Sequence, residues 1–213
     1  GRALPMHGRM VHPVDGAQSF RPYSADGRRA INSISRAELN HSLLDTAEST
    51  HGVTVRFEHR LKELDLDTGR LVFQTPSGPA EHHADIVLAS DGSYSAARRA
   101  VTFRQDFTFS QDYLEHGYKE LTIPARDGEF ALDPDALHIW PRGNYMCIAL
   151  PNAEGSFTVT LFMPVQGDPG FATVSTGAEA RALFARDFAA ALPLRPELEQ
   201  DVEANPVRVL TTH

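Results

Sequence analysis

The sequence predicts α/β material followed by a mainly antiparallel sheet, in two parts that divide near residue 103. Three observations point to this. The run Asp85-Ile86-Val87-Leu88-Ala89-Ser90 is nearly continuous in apolar character, as in a strand covered on both faces. It stops at Asp91-Gly92, just before the helix-forming Ser95-Ala96-Ala97-Arg98-Arg99. Later, Leu137 to Trp140, Tyr145 to Leu150 and Phe157 to Met163 are short apolar-rich runs that end in proline turns and read as strands of an antiparallel sheet with one buried face. Two capping boxes, Ser35 with Glu38 and Thr176 with Glu179, each open a helical pattern.

The elements follow in order. Residues 1–35 are rich in Gly, Pro, Arg and Ser, with Arg9-Met10-Val11-His12 as a short strand candidate and Asp15-Gly16 as a hairpin turn. After Ser35, Leu39, Leu43, Leu44 and Ala47 share one helical face, and the helix fades near Ser49, Thr50 and Gly52. Val53, Val55 and Phe57 alternate as a strand; Leu71-Val72-Phe73 is another, after the turn Asp67-Thr68-Gly69. The strand at 85–90, its tight turn and the helix after it form the layout that places ligands at strand carboxyl ends. Beyond residue 103, Tyr118 to Ile123 precedes the three apolar-rich runs. A late helix is expected from about Gly177 to Leu192, with Ala180, Leu183, Phe184, Phe188 and Ala191 on one side and Asp187 breaking the stripe.

Composition excludes several classes. The chain has 213 residues, 41% hydrophobic and 23% charged, which is ordinary for a globular protein. Its formal charge of −8 has no basic stripe to offset it, so neither nucleic acid nor an anionic membrane is an expected partner. A single cysteine, Cys147, precludes an internal disulfide and fits a reducing compartment; in its strand it reads as core filler. No apolar run approaches the ~20 residues of a membrane span, and no signal peptide is visible. Cytoplasmic localisation is the expectation. The first residue is Gly1, which suggests a fragment.

Several residues are candidates for chemistry, each with a plainer alternative. The Asp91 carboxylate could accept hydrogen bonds from ligand hydroxyls while Gly92 lets the backbone come close; the alternative is a turn with a helix cap. Arg36, directly after the Ser35 cap, could reach phosphate oxygens, or could be a solvated surface arginine. Arg9 and Tyr23 stand fourteen residues apart across the hairpin turn, and together could anchor a carboxylate; nothing in the spacing shows that they converge. Met146, Ile148 and Leu150 alternate on one face of a strand, with Phe162 on the next; they could line an aromatic pocket or be plain core. The ten histidines lack ligand spacing, and no metal site is expected. No P-loop, GxGxxG or Ser-His-Asp signature is present.

Residue identities add a resemblance. Arg9-Met10-Val11-His12, Pro22-Tyr23, Ser35-Arg36, His59-Arg60-Leu61, Asp91-Gly92-Ser93-Tyr94-Ser95, His116-Gly117-Tyr118, Glu120-Leu121-Thr122-Ile123, His138-Ile139-Trp140-Pro141-Arg142 and Leu161-Phe162-Met163-Pro164 lie in an ordered set. That set resembles the kynurenine 3-monooxygenase family of FAD-dependent aromatic hydroxylases. The match is good over residues 9 to 164 and weaker over 165 to 213, where Asn205-Pro206 still fits.

The resemblance implies a flavoprotein that uses FAD, NADPH and dioxygen to hydroxylate L-kynurenine beside its ring amino group, with the flavin rather than acid or base side chains carrying the chemistry. It implies that Arg9 and Tyr23 hold the kynurenine carboxylate. Met146, Ile148, Leu150 and Phe162 would wall its ring, Arg36 and Leu61 would contact FAD, and Asp91-Gly92 would be the acidic motif near the cofactor. Residues 1–103 would be part of the FAD-binding domain, with a substrate-contacting segment near 9–23. Residues 104–213 would be the substrate-binding sheet with one helix. The family's Gly-rich opening unit and later flavin-side loop are not in this sequence, so the chain is expected to be an internal piece that does not turn over unaided. The alternatives are a noncatalytic aromatic-ligand or partner-binding module, or a sibling hydroxylase with another aromatic substrate.

Overall fold

The structure is a computed structural model that describes residues 3–102 and 107–212. In chain order it contains β1 (Leu4–Met6), β2 (Gly8–Val11), β3 (Ser19–Pro22), β4 (Ile31–Ser33), α1 (Arg36–Ser49), β5 (Arg60–Asp65), β6 (Arg70–Thr75), β7 (Gly78–His83) and α2 (Ala96–Thr102). Then follow β8 (Asp112–Ile123), β9 (Ala136–Arg142), β10 (Tyr145–Pro151), β11 (Phe157–Pro164), α3 (Gly177–Asp187), α4 (Leu198–Ala204) and β12 (Arg208–Thr212). Residues up to Ser42 together with Tyr113–Leu210 form one compact unit; Leu43–Asp112, with the segment from Thr211, form the other. The division expected near 103 falls at residues 103–106, outside the described residues.

The larger unit is built on a seven-stranded sheet in the order β12-β8-β11-β10-β9-β2-β3. Its centre is antiparallel, with Ala149 opposite Val159 and Cys147 opposite Trp140. At one side β2 joins β9 in parallel, Arg9 opposite Leu137, and β3 folds back on β2. The two-residue period of the strands sorts side chains strictly. Leu121, Ile123, Trp140, Cys147, Ala149, Phe157, Val159, Leu161 and Met163 all face one side and are buried. That face packs against Ala180, Leu183, Phe184, Phe188, Leu198 and Val202 of the helical layer. Cys147 is core, as expected, and burial pushes its thiol up to about 12. Lys119 also faces inward, and its Nζ donates to the Val202 carbonyl at 2.5 Å near the end of α4.

The late helix starts as expected. Thr176 Oγ1 accepts from the Glu179 backbone N–H, while the Glu179 carboxylate accepts from the backbone N–H groups of Thr176 and Ser175, which pull its pKa down to about 2. The helix ends at Asp187, five residues earlier than the sequence pattern, because Phe188 leaves helical geometry and Pro193 fits only the short 3-10 turn Leu192–Leu194 that follows. Asp187 breaks the apolar stripe for a reason: its carboxylate accepts from the Tyr145 hydroxyl at 2.8 Å and from Arg186.

The start of α3 lies very close to α4. A Cβ on Gly177 would meet Glu199 Cβ at 2.6 Å and Glu199 Cα at 2.8 Å. Gly177→Ala is therefore expected to push α4 outward and to cost about 1–3 kcal/mol in urea unfolding, an overpacking effect. An unchanged midpoint would show that α4 accommodates the methyl group freely.

The smaller unit carries the antiparallel meander β5-β6-β7, with α2 against β5. Three expectations fail here or at its border. Residues 53–57 form no strand, and Val53 and Phe57 are exposed. Residues 85–90 form no strand either; Ile86 is 80% and Leu88 90% exposed. Helix α1 forms over the expected span but buries no residue, so the Leu39 and Leu43 face stands open. The physical reason is common to all three. An apolar segment becomes a buried strand or helix face only when another element covers it, and none of the described residues does so. No helix among the described residues is long and apolar enough to cross a membrane.

Candidate functional site

The seven-stranded sheet has a second face, opposite the helical layer, and the candidate substrate residues lie on it. Directly paired residues point to the same side of a sheet. Met146 pairs with Phe162, Ile148 with Thr160 and with Ile139, and Leu150 with Thr158. Ile139 pairs with Val11, and Leu137, two residues earlier, pairs with Arg9. Arg9, Met146, Ile148, Leu150 and Phe162 thus share the open face. Met146 is 38% exposed, and Ile148, Leu150 and Phe162 are partly exposed.

The β2–β3 hairpin supplies the polar end of this face. Gly8 pairs with Pro22 and Arg9 with Arg21, which carries Tyr23 just past the strand end to the side of Arg9. The Arg9 guanidinium carbon lies 5.4 Å from the Tyr23 ring centroid, within cation–π range. The structure therefore brings together two residues whose spacing gave no sign of meeting. The Tyr23 hydroxyl is buried and has no hydrogen-bond partner in the structure. Such orphaned donors are uncommon and call for an explanation. An exposed guanidinium beside an unsatisfied hydroxyl is a donor set suited to a carboxylate.

Arg36 lies on the same unit. Ser35 caps α1, its Oγ accepting from the Glu38 N–H at 3.2 Å, and this places Arg36 at the first helical position. A cavity of about 390 Å³ is lined by Arg36, Leu39, Glu120, Leu150, Asn152, Thr158 and Thr160. Arg36 Nη2 donates to Glu120 Oε1 at 3.0 Å across it, and the arginine is largely exposed. Such a pair contributes at most ~1 kcal/mol, so the guanidinium can exchange Glu120 for another anion at little cost.

Leu61, Asp91 and Gly92 sit in the smaller unit. Leu61 and Asp91 line one cavity of about 500 Å³; Asp91 and Gly92 line another of about 610 Å³ with Leu64, Val87, Ala97 and Phe107. Asp91 is engaged as the cap of α2. Its Oδ1 accepts from Ser95 Oγ at 2.5 Å and its Oδ2 from the N–H groups of Ala96 at 2.7 Å and Ala97 at 3.3 Å. The Ser95 hydroxyl and these backbone donors hold its carboxyl below the usual range. Gly92 has φ +75°, a conformation that favours glycine, and open space where a Cβ would point.

Two features of the open face escaped the sequence reading. Glu120 faces the Arg36 cavity, although in sequence it is simply the polar member of an alternating strand. Tyr118, two residues earlier on β8, meets Phe162 with ring centroids 6.0 Å apart. The period-2 pattern of β8 was the available signal.

Among solved structures the chain is similar to 2-methyl-3-hydroxypyridine-5-carboxylic acid oxygenase, with a TM-score of 0.70 and 18% identity over 99% of this chain and 53% of that one. It is also similar to PqsL of Pseudomonas aeruginosa in complex with 2-aminobenzoylacetate, with a TM-score of 0.66 and 16% identity over 99% of this chain and 55% of that one. HpxO of Klebsiella pneumoniae, solved with FAD, gives a TM-score of 0.62 and 19% identity over 98% of this chain and 52% of that one. The fold is accordingly that of FAD-dependent aromatic hydroxylases. No family model matches the chain. In sequence it is similar to the kynurenine 3-monooxygenase of Stenotrophomonas maltophilia, 50% identical over 99% of this chain and 47% of that protein. The kynurenine 3-monooxygenase of Xanthomonas campestris pv. campestris is 48% identical over the same shares. The chain thus spans about half the length of the curated relatives it matches, and the resemblance carried by its motifs holds along almost all of it.

Proposed function

We propose that this chain carries the substrate face, and part of the cofactor site, of an FAD- and NADPH-dependent kynurenine 3-monooxygenase. One observation carries the reading: the Arg9–Tyr23 pair, with its buried unsatisfied hydroxyl, stands on the same open sheet face as the apolar row Met146, Ile148 and Phe162. A carboxylate donor set beside an apolar wall suits an aromatic amino acid. Arg9 and Tyr23 bind the L-kynurenine carboxylate; Met146, Ile148, Leu150 and Phe162 orient its ring and exclude water.

The residues present fit an FAD. Arg36 is a weakly paired guanidinium at a cavity that also contains Leu150, so a phosphate can replace Glu120 there. In the smaller unit Gly92 offers its backbone to a close approach, and the Asp91 carboxylate keeps acceptor capacity beyond its three cap bonds. Leu61 adds an apolar contact. When bound, the flavin supplies the redox and oxygen chemistry. The functional division into an FAD part at 1–103 and a substrate part at 104–213, and a cytoplasmic location, belong to the same proposal.

The chain by itself is proposed to be inactive. The exposed Ile86 and Leu88 and the apolar linings beside Asp91 suit cover by further residues of a longer protein. The same observation favours a second reading, in which the isolated chain acts as a noncatalytic binding module. In a protein of the relatives' full length, Arg36→Ala is expected to weaken FAD binding by about tenfold or more, the loss of one charge-assisted contact. Equal flavin retention in parent and variant would remove Arg36 from the cofactor site. A well-ordered 213-residue monomer that binds kynurenine without flavin would favour the second reading.

A further inference from the structure

Behind Arg9, on the helical side of the sheet, lies a buried cluster that the proposed function does not use. His12 follows β2 directly, and its backbone N–H donates to the Ile139 carbonyl at 2.8 Å. His12 Nε2 and His138 Nδ1 are 2.9 Å apart, and both side chains are buried. His138 Nε2 lies 2.9 Å from the Asp133 carbonyl oxygen. The His12 ring stacks on Trp140, with centroids 4.1 Å apart and planes inclined by 12°.

The proton positions follow from this geometry. A carbonyl only accepts, so His138 Nε2 carries a hydrogen. In the neutral ring its Nδ1 then accepts, so His12 Nε2 donates. The remaining nitrogen, His12 Nδ1, is buried and without a partner. Protonating it would place a cation where no acceptor exists. Protonating His138 Nδ1 would either set two N–H groups against each other or move the His12 hydrogen to the partnerless Nδ1 so that Nε2 accepts. Every protonated state thus adds a buried charge together with an orphaned or opposed N–H, and the arrangement is best satisfied with both rings neutral.

We infer that the His12–His138 pair is a positioning device for substrate recognition: it fastens β2 to β9 on the core side and so holds Arg9, on the opposite side of the same short strand, beside Tyr23. The inference rests on the proposed role of Arg9. Strands β2 and β3 form the end of the sheet, with β9 their neighbour, so the aim of Arg9 depends on how β2 is held. Nearby charges do not favour a protonated pair. Arg142 Nη1 donates to the His12 carbonyl at 3.0 Å, and its Nε donates to the Asp187 carbonyl. On α3 the Asp187 carboxylate is already taken by Tyr145 and Arg186. Asp133, beside His138, opposes the effect of burial there only in part. Burial first, and then His138 and Arg142, push His12 down to about 4.

The test compares two ligands, L-kynurenine and kynuramine, its analogue without the carboxylate, in a protein of the relatives' full length. His12→Phe is expected to weaken kynurenine binding about tenfold and to leave kynuramine binding nearly unchanged, because only the carboxylate contact depends on the aim of Arg9. His12→Gln, which keeps a donor at the same reach, is expected to restore most of the loss. Equal losses for both ligands would mean that the pair is merely structural, and would overturn the inference. Arg9→Ala separates the two levels. If it discriminates between the ligands and His12→Phe does not, the positioning role alone fails. If Arg9→Ala does not discriminate, the substrate reading fails and the inference with it. A second arm follows Trp140, the only tryptophan of these 213 residues, as the emission that Trp140→Phe removes; a protonated imidazole stacked on it quenches that emission. Emission is expected to stay level on acidification and to fall with a midpoint near pH 4; a midpoint near the ordinary 6.5 would show an unlocked His12 and overturn the inference.

Discussion

Replacing Arg9 with alanine, in a protein of the relatives' full length, is expected to weaken L-kynurenine binding by about 10- to 150-fold while FAD stays bound. The magnitude is that of one hydrogen bond to a charged group, roughly 1.5–3 kcal/mol. Arg9 stands on the open sheet face 5.4 Å from the Tyr23 ring, and the Tyr23 hydroxyl has no other partner in the structure. Removing the guanidinium leaves the ligand carboxylate with a single neutral donor. Arg9→Lys is expected to lose affinity too, because an ammonium cannot reproduce the planar fork. Tyr23→Phe removes one neutral donor and should cost less than tenfold. Dissociation constants for kynurenine, read with flavin content for each variant, decide the order. Parent-like binding by Arg9→Ala would end the case for Arg9 as the carboxylate anchor.

Phe184→Ala is expected to cost about 3–5 kcal/mol of stability, the range for truncating a fully buried aromatic ring. Phe184 is wholly buried, and its ring centroid lies 5.0 Å from that of Phe188. It also faces Arg195, whose guanidinium carbon is 4.8 Å above the ring. That guanidinium is buried, none of its nitrogens has a hydrogen-bond partner in the structure, and its Asp201 counter-ion is 3.7 Å away. Burial lowers its pKa to about 10. The ring is therefore both core and the nearest electron-rich surface for a strained cation. Phe184→Leu keeps much of the volume but not the π face, and should fall between the parent and alanine. Urea unfolding in a protein of the relatives' full length reads the series as a falling midpoint at constant slope. A loss under about 1 kcal/mol for alanine would mean that the helical layer closes over the gap.

Much of the larger unit was legible in the sequence because its signals are local. The alternation of Val159 and Leu161 with Thr158 and Thr160 states which face of β11 is buried, and Thr176 with Glu179 states where α3 begins. In β10 Cys147 and Ala149 alternate with the larger Met146, Ile148 and Leu150, so the residues alone leave the buried face open, and the structure buries the smaller pair. The Arg9–Tyr23 pair was not legible. It depends on the hairpin register and on a parallel pairing of β2 with a strand more than a hundred residues later in the chain, which periodicity does not encode. The failures at 53–57, 85–90 and the face of α1 are of another kind. Each segment has the right residues for a buried element, but burial requires a second surface, and the described residues provide none. Asp91 shows the converse: the sequence allowed a ligand contact or a helix cap, and the geometry displays the cap in full while leaving one acceptor position open.

The most direct test of the account is the identity of the product. A protein of the relatives' full length, carrying these 213 residues and loaded with FAD, would be given NADPH, oxygen and L-kynurenine, and its product resolved by mass and chromatography. The account predicts 3-hydroxykynurenine, formed with matching NADPH consumption and abolished or slowed in Arg9→Ala. A flavin-loaded enzyme that leaves kynurenine unchanged but hydroxylates a different aromatic acid would contradict it.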